Sequence, residues 1–383
     1  MNLPATVVAS FCLLALAACS GEPSMTMSDS TTVITGATAL VGPELRPVEN
    51  AVLIMTEGRI SALGPSDDVP IPSEARRVEA RGMTLIPGFI DAHVHIGFFP
   101  PRRILRAGVT TVRDLAWPPE IIFPMAERSK EPSFQGPLIL AAGPMLTAPG
   151  GYPTRAGWAP SGTGLEVSGP EEAAVAVERV KEQGAKVVKI ALNPPAGPVL
   201  DEDTLKAIVS AAHERALEVT GHVYGLAELR KALDAGVDEL AHMLMGTDRI
   251  SPDLAARMAA EHMTVVPTLA IRSGGELKAA LGNLGRFAAA GGRVVYGTDL
   301  GNAGASPGID RREIRLMGRA GLSPAQIIES ATAAAAAHLG LKDRGVLEVG
   351  AHADIVLVRG DPLADPKALG RVKKVWRAGI PAL

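Results

Sequence analysis

The sequence predicts an α/β protein: a closed parallel (β/α)8 barrel, the TIM-barrel architecture, with a small β-sandwich domain formed by both chain ends. Three observations predict it. Eight apolar runs typical of buried parallel strands are each followed by an amphipathic, helix-like segment. Short β-rich runs broken by Gly and Pro precede this central part and recur after it. The length of 383 residues fits one large barrel with a small companion domain.

The first residues have the pattern of a lipoprotein signal peptide, predicted over residues 1–18. The apolar run 7–18 is too short to cross a bilayer of ~30 Å as a helix. It ends in Leu-Ala-Ala-Cys, which resembles the lipobox of bacterial lipoproteins and implies lipidation of Cys19. A buried amino-terminal helix or a misplaced start codon is the alternative, because the segment before the run contains neither Lys nor Arg.

Residues 19–30 are small and polar, which predicts a flexible tether behind the lipid anchor. By the same resemblance, Ser20 after Cys19 favours the outer membrane of a Gram-negative bacterium. We therefore expect a periplasm-facing lipoprotein that is attached to the membrane through Cys19.

The β-sandwich is predicted from residues 31–85 and 344–383, and the catalytic barrel from residues 86–343. Strand-like runs mark both parts of the sandwich, for example residues 51–55 and 354–358. The eight runs predicted as barrel strands are Thr84–Val94, Val109–Leu115, Pro137–Ala142, Ala185–Leu192, Glu218–Val223, Val237–Met243, Thr264–Ala270 and Arg293–Gly297.

Composition excludes several classes of partner. Hydrophobic residues make up 47% of the chain and charged residues 21%, as in a folded globular protein. The formal net charge of −3 gives no basic field for a phosphate backbone. Aromatic residues at 3% are too few for a platform that stacks single-stranded bases. We expect a small-molecule substrate and no nucleic-acid partner; a homo-oligomer stays open.

Side chains that could bind a metal follow the predicted strands. His93 and His95 close the first strand and, because side chains alternate along a strand, point to the same face. Such a pair alone is weak support for a metal site. Four further candidates lie at or just after the carboxyl ends of later strands: Lys189, His222, His242 and Asp299. All six should converge on the carboxyl face, where barrel enzymes carry out their chemistry.

The types of these side chains suit a divalent cation. Imidazole nitrogen and carboxylate oxygen are ligands for Zn²⁺ or similar ions, and both cysteines, Cys12 and Cys19, lie in the amino-terminal segment. The ammonium of Lys189 has no lone pair, so it either becomes a carbamate or remains in a salt bridge. Lys186 lies at the other end of its strand and is the poorer candidate.

Seven stretches resemble the amidohydrolase superfamily, especially its imidazolonepropionase-like and prolidase-like branch: PGFIDAHVH, GVTTVRDLA, KVVKIAL, GHVYG, ELAHM, YGTDLG and LKDRGVLEVGAHADIVLV. The resemblance implies a barrel flanked by a β-sandwich and a site for two divalent ions, with zinc expected. It implies that His93, His95 and Asp299 bind the first ion and that His222 and His242 bind the second. Lys189, carboxylated by CO₂, would bridge both ions.

The implied activity is hydrolysis of an amide-type C–N bond in a dipeptide, an N-acyl amino acid or a cyclic amide. A hydroxide that bridges two metals is nucleophilic at neutral pH, and Asp299 would move the proton to the leaving group. Alternatives are a mononuclear imidazolonepropionase-type or deaminase-type hydrolase, and a lactonase or phosphotriesterase. An alternative of another class is a binding lipoprotein without catalysis.

Candidate substrate contacts lie on predicted loops at the same end of the barrel, although each could instead be solvated or structural. They are Arg113, Tyr152, Arg155, Trp158, Tyr224 and Arg272. An arginine there could bind a substrate carboxylate with two hydrogen bonds. The loop after the first strand is short, with a helix expected near Pro100. Surface or packing roles are expected for the remaining histidines, His213, His262, His338 and His352.

Overall fold

The structure, a computed structural model, describes residues 31–382. The predicted signal peptide (1–18), the lipidation site Cys19 and the tether (19–30) lie outside the described residues. Within residues 31–382, none of the helices combines the length and the apolar character needed to cross a membrane.

The described chain contains 18 strands, ten α-helices and four short 3₁₀ helices. In chain order the strands are β1 (Thr32–Val41), β2 (Arg46–Thr56), β3 (Arg59–Pro65), β4 (Arg76–Glu79), β5 (Met83–Pro87), β6 (Phe89–Val94), β7 (Val109–Asp114), β8 (Leu138–Ala141), β9 (Met145–Thr147), β10 (Gly164–Glu166), β11 (Val188–Leu192), β12 (Val219–Val223), β13 (Glu239–Leu240), β14 (Thr264–Val265), β15 (Arg293–Val294), β16 (Ile355–Arg359), β17 (Val372–Arg377) and β18 (Ile380–Pro381).

The helices alternate with the barrel strands, as the sequence predicts. They are α1 (Pro101–Arg106), α2 (Pro119–Arg128), α3 (Pro170–Glu182), α4 (Glu202–Glu214), α5 (Leu226–Ala235), α6 (Pro252–Ala260), α7 (Gly274–Ala289), α8 (Arg311–Arg319), α9 (Pro324–Ser330) and α10 (Ala333–His338). The 3₁₀ helices are Ile96–Phe98, Pro194–Ala196, Leu269–Ile271 and Pro366–Gly370.

Both chain ends contribute to one mixed sheet, which is the predicted companion domain. Its strand order is β18-β17-β16-β5-β1-β2-β3, and β4 pairs with the first half of β1. β5 pairs antiparallel with β16, which joins the two ends of the sequence. Side chains from both ends share a core, including Leu53, Leu85 and Leu357. Backbone hydrogen bonds therefore connect all the strands of this sheet.

The barrel is closed by eight parallel strands, which confirms the predicted fold class. β6, β7 and β8 form one sheet, and β11 to β15 follow one another in a second. The N–H of Lys186 donates to the carbonyl of Ala141 (2.9 Å), which joins β8 to the entry of β11. The N–H of Ala92 donates to the carbonyl of Tyr296 (3.0 Å), which joins the segment after β15 to β6. Every residue of β6, β7, β11 and β12 is buried, as expected for parallel strands covered on both faces.

The predicted first barrel strand, Thr84–Val94, is two strands. β5 belongs to the mixed sheet and β6 to the barrel, and Gly88 lies between them. A Cβ atom at Gly88 would lie 2.2 Å from Oγ1 of Thr110. Glycine therefore permits the close passage of the chain between the two domains.

Candidate metal centre at the carboxyl end of the barrel

The six predicted ligand residues lie on five barrel strands or in the segments that follow them. His93 and His222 lie near the carboxyl ends of β6 and β12, and Lys189 is the second residue of β11. His95 directly follows β6, and His242 and Asp299 lie two and five residues after the ends of β13 and β15. Each residue is at most 5% exposed. The six residues are His93, His95, Lys189, His222, His242 and Asp299.

Three of these side chains form a compact cluster. Nε2 of His93 lies 3.4 Å from Oδ1 of Asp299, and Nε2 of His95 lies 3.2 Å from the same oxygen. Two donor atoms on one tetrahedral Zn²⁺ ion, with bonds of ~2.0–2.1 Å, are about 3.3 Å apart. Nε2 of His93 and Oδ1 of Asp299 are buried and have no hydrogen-bond partner in the described part of the chain. The cluster therefore fits one divalent ion.

Backbone carbonyls orient the first two imidazoles. Nδ1 of His93 donates to the carbonyl of Ala241 (2.7 Å), and Nδ1 of His95 donates to that of Ala116 (3.1 Å). With the proton held on Nδ1, the lone pair of each ring is on Nε2, which faces Asp299. Sequence analysis did not identify these acceptors, because any residue supplies a backbone carbonyl.

The other two histidines form a second pair of donors. Nδ1 of His222 lies 3.2 Å from Nε2 of His242, which is again the separation expected for two ligands of one ion. Nδ1 of His242 is 2.8 Å from Oγ1 of Thr268, and its proton can be donated to that hydroxyl. The lone pair of His242 is then on Nε2, facing His222.

Asn193 contacts Nε2 of His222, the ring nitrogen that does not face His242. Its side-chain amide lies 3.1 Å from Nε2 of His222, and its Oδ1 atom has no partner among residues 31–382. An amide turned by 180° would present Oδ1 to the N–H on Nε2. The lone pair of His222 would then be on Nδ1, so two lone pairs would face each other and require a cation between them.

Lys189 is buried with no partner. It is 1% exposed, and Nζ makes no hydrogen bond to any described residue. Burial lowers the pKa of Lys189 to about 7, although Asp299 and Glu239 oppose the shift. Near pH 7, a large fraction of the molecules therefore carries Lys189 as a neutral amine. Within residues 31–382, Lys189 does not make the salt bridge considered as the alternative to a carbamate. Lys186, the rejected candidate, is exposed.

Electrostatics keep three of the histidines neutral and the carboxylate ionised. Burial lowers the pKa of His222 to about 3 and the pKa of His93 and His242 well below the ordinary value. Burial opposes ionisation of Asp299, but His93 and His95 outweigh it and hold its pKa below the usual range. The nearby carboxylate of Asp299 raises the pKa of His95 against the effect of burial. Four of these five groups are therefore in the protonation state that binds a cation.

Two site residues have a left-handed backbone. Asp299 has φ 55° and Thr268 has φ 45°, values that residues other than glycine seldom adopt. A carboxylate missed by the sequence analysis, Asp91, helps to hold Asp299 in place. It accepts hydrogen bonds from the N–H of His93 (3.1 Å) and from the hydroxyl of Thr298 (2.6 Å). The signal for Asp91 in the sequence was one acidic residue inside the apolar run that forms β6.

Arg113 does not lie on a loop, contrary to the prediction. It lies within β7 and is 2% exposed, and its Nη2 atom is 2.6 Å from both carboxylate oxygens of Glu239. Its Nε donates to the carbonyl of Ala92 (2.9 Å). Glu239 also accepts from Thr220 and from Nε2 of His338 (2.5 Å). Arg113, Glu239 and His338 thus form a buried charge cluster. Arg113 and His338 therefore have structural roles.

Arg272 is also occupied by protein contacts. It is 2% exposed and donates to the carbonyls of Leu244 (2.8 Å) and Met243, in the segment that follows His242. It therefore braces the loop after β13 through Nη1 and Nη2, while its Nε has no hydrogen-bond partner in the described part of the chain. Arg155 and Tyr224 are exposed at the surface.

Tyr152 and Trp158 lie against the candidate metal centre. The Tyr152 ring is centred 4.9 Å from the His222 ring, and the Trp158 ring 5.1 Å from the His95 ring. Nε1 of Trp158 donates to the hydroxyl of Tyr152 (3.2 Å), which links the two side chains. Both are in position to contact a molecule bound at the centre.

Comparison with known proteins gives a consistent picture. The model of the Amidohydrolase family matches residues 102–380. The chain is 24% identical to an ochratoxinase of Aspergillus niger over 412 residues, which covers 89% of this chain and 84% of the relative. A solved structure of a Bifidobacterium longum protein assigned to the prolidases is 25% identical, with TM-score 0.78 and coverage of 92% of this chain and 94% of that chain.

The solved structure of the A. niger ochratoxinase has the same fold, with TM-score 0.76 at 22% identity over 92% of this chain and 96% of that chain. The family match begins within α1 and spans the rest of the barrel and the carboxyl-terminal strands β16 and β17, whereas β1 to β6 lie before it. The resemblance seen in the sequence is thereby confirmed. The chain belongs to the amidohydrolase family and is a hydrolase acting on carbon–nitrogen bonds.

Proposed function

We propose that the protein is a metal-dependent hydrolase that uses two divalent ions, with zinc preferred, to cleave an amide-type C–N bond in a small molecule. The observation that carries the proposal is the arrangement of the six buried donors. His93, His95 and Asp299 would hold one ion, and His222 and His242 the other. When bound, the ions would polarise the scissile carbonyl and make water acidic enough to serve as the nucleophile.

Lys189 is the proposed bridge between the two ions. Its neutral amine nitrogen would form a bond to the carbon of CO₂ and release one proton, which gives a carbamate with two oxygen donors. The pKa of Lys189, lowered to about 7 by burial, supports this step because the amine is then available near neutral pH. A carbamate anion is also stabilised by the charge of two cations.

Asp299 is the proposed proton carrier. Its Oδ1 atom has no hydrogen-bond partner among the described residues, and its pKa is held below the usual range by His93 and His95. It is therefore ionised at neutral pH and can accept the proton of the attacking water. It would then donate that proton to the departing nitrogen, which leaves as a neutral amine.

The substrate is proposed to be a dipeptide, an N-acyl amino acid or a cyclic amide. Similarity to a protein assigned to the prolidases and to an ochratoxinase supports an amide of this kind. A mononuclear hydrolase of the imidazolonepropionase or deaminase type is the second candidate, because His93, His95 and Asp299 form a compact site without Lys189. Lactonase and phosphotriesterase activities would use the same donors.

The decisive experiment is a screen of zinc-loaded protein against dipeptides, N-acyl amino acids and cyclic amides, with esters and phosphotriesters as competing classes. The variant Asp299→Asn should lose turnover by at least about 10²-fold while its circular dichroism spectrum stays unchanged. Asp343→Asn is the matched control, because Asp343 pairs with Arg59 far out on the surface. Unchanged turnover in Asp299→Asn would refute the assigned role.

We also propose that the mature protein is a periplasm-facing lipoprotein anchored at Cys19. The support is the sequence pattern of residues 1–19. Expressed with its own leader in a Gram-negative host, the protein should fractionate with the outer membrane. Cys19→Ser should release it or block its processing, and the same fractionation for both forms would contradict the proposal.

A further inference from the structure

Four aromatic rings form a row beside the metal centre, here called the aromatic wall: Phe98, Trp117, Tyr152 and Trp158. Phe98 lies 5.0 Å from Trp117 and 6.3 Å from Trp158, measured between ring centroids. Trp158 lies 6.1 Å from Tyr152. Aromatic residues make up only 3% of the chain, so this concentration at one place is not expected from composition.

Two residues of the aromatic wall contact histidines of the candidate metal centre. Trp158 contacts the ring of His95 on one side of the centre, and Tyr152 contacts the ring of His222 on the other. Phe98 is 42% exposed, although large apolar side chains are usually buried. A molecule held at the centre would therefore meet ring faces or edges along this side.

Close packing of two glycines holds the rings in place. A Cβ atom at Gly97 would lie 2.2 Å from the Trp117 ring, and one at Gly301 would lie 2.8 Å from the Phe98 ring. Gly301 has φ 131° and comes two residues after Asp299, so the catalytic loop itself supports Phe98. The connection after β6 is short, so Phe98 follows His95 by only three residues. A preformed surface of this kind binds a rigid group with little loss of entropy.

None of the four residues of the wall carries a charge. Arg113 is engaged with Glu239, whereas Arg272 donates through Nη1 and Nη2 to backbone carbonyls and its Nε has no hydrogen-bond partner among the described residues. Arg155 is exposed, with its guanidinium near Gly150. The wall itself therefore offers apolar ring surface and a tyrosine hydroxyl.

We propose that the aromatic wall is a substrate subsite for a flat aromatic group, and that the substrates are amides with an aryl group on one side of the scissile C–N bond. The inference that such molecules bind stands on the wall alone. The statement that they are hydrolysed rests on the proposed function.

The test compares size-matched amides. N-benzoyl and N-cyclohexanecarbonyl derivatives of one amine form the first pair, and the acetamides of aniline and cyclohexylamine form the second. Aromatic contacts distinguish a ring from an aliphatic group of similar size, so kcat/KM should favour the aryl member of at least one pair by about threefold to tenfold. Trp158→Leu should remove this preference, and Trp158→Phe should retain most of it.

Phe134→Leu is the control, because Phe134 packs near Arg377 and is not part of the wall. It should leave the aryl preference unchanged. Equal kcat/KM values for aryl and cyclohexyl members of both pairs would overturn the proposal. A preference that Trp158→Leu leaves intact would also overturn it.

Binding separates the proposal from the proposed function. Calorimetry with benzamide and cyclohexanecarboxamide, on protein treated with a chelator, requires no turnover. Tighter binding of benzamide that depends on Trp158, combined with no hydrolysis of any amide, would support the wall and refute the proposed function. Hydrolysis of amides without any aryl preference in binding or in kcat/KM would support the function and refute the wall.

Discussion

Removing Arg113 should destabilise the barrel strongly, although Arg113 is not a substrate ligand. The change to test is Arg113→Met, which keeps most of the length of the side chain and removes its charge. In the folded protein it leaves the carboxylate of Glu239 buried, 1% exposed, without its ion-pair partner. Removing one partner of a buried pair costs about 3–5 kcal/mol because the remaining charge stays desolvated.

A surface pair of the same length is the control. Nζ of Lys130 lies 2.6 Å from Oε1 of Glu127, the same separation as between Arg113 and Glu239, but these side chains are 54% and 69% exposed. Exposed pairs contribute about 0–1 kcal/mol because water and salt screen them. Lys130→Met should therefore change the free energy of unfolding by less than about 1 kcal/mol.

Urea denaturation followed by circular dichroism measures both variants against the parent protein. Arg113→Met should lower the free energy of unfolding by about 3–5 kcal/mol, which for a chain of this size corresponds to a decrease in Tm of about 4–7 °C. The double variant Arg113→Met/Glu239→Leu should recover part of the loss, because no buried charge remains unpaired. Losses of similar size in Arg113→Met and Lys130→Met would refute the reasoning.

Two other side chains give sharp predictions. Burial raises the pKa of Glu313 to about 8. Between pH about 4.5 and 8 the folded state therefore holds a proton that the unfolded state releases. The free energy of unfolding falls as pH rises through this range. Glu313→Gln should flatten this slope in urea denaturation curves recorded at several pH values, and an unchanged slope would contradict the assignment. Thr268→Val removes the partner of His242 Nδ1 and should weaken zinc binding by about 10- to 100-fold, whereas Thr268→Ser should not. Equal zinc affinity of the two variants in competition with a chelator would show that the hydroxyl does not orient the ring.

The barrel and the buried cluster of polar side chains in it could be predicted because both leave local signals in the sequence. Buried parallel strands are apolar on both faces, so they are readable as runs, and polar residues at their ends are conspicuous. His93 and His95 follow this pattern, as do His222 and His242. The resemblance to the amidohydrolase superfamily added the pairing of donors, which no spacing reveals.

The buried charge cluster of Arg113, Glu239 and His338 could not be predicted in the same way. Glu239 and His338 are 99 positions apart and meet only because the chain closes into a barrel. Arg113 was predicted as a substrate contact although it lies inside the predicted strand Val109–Leu115, and its contact with Glu239 depends on strand register, which the sequence does not show. Gly88 divides what looks like one apolar run, and only the contact with Thr110 shows why.

The central claim is that this barrel holds two ions with six side chains. Zinc titration of chelator-treated protein in the presence of bicarbonate, followed by calorimetry and elemental analysis, tests it most directly. The account predicts about two zinc ions per chain in the parent protein and a loss of the two-ion site in Lys189→Met. One ion per chain, unaffected by bicarbonate or by Lys189→Met, would contradict it.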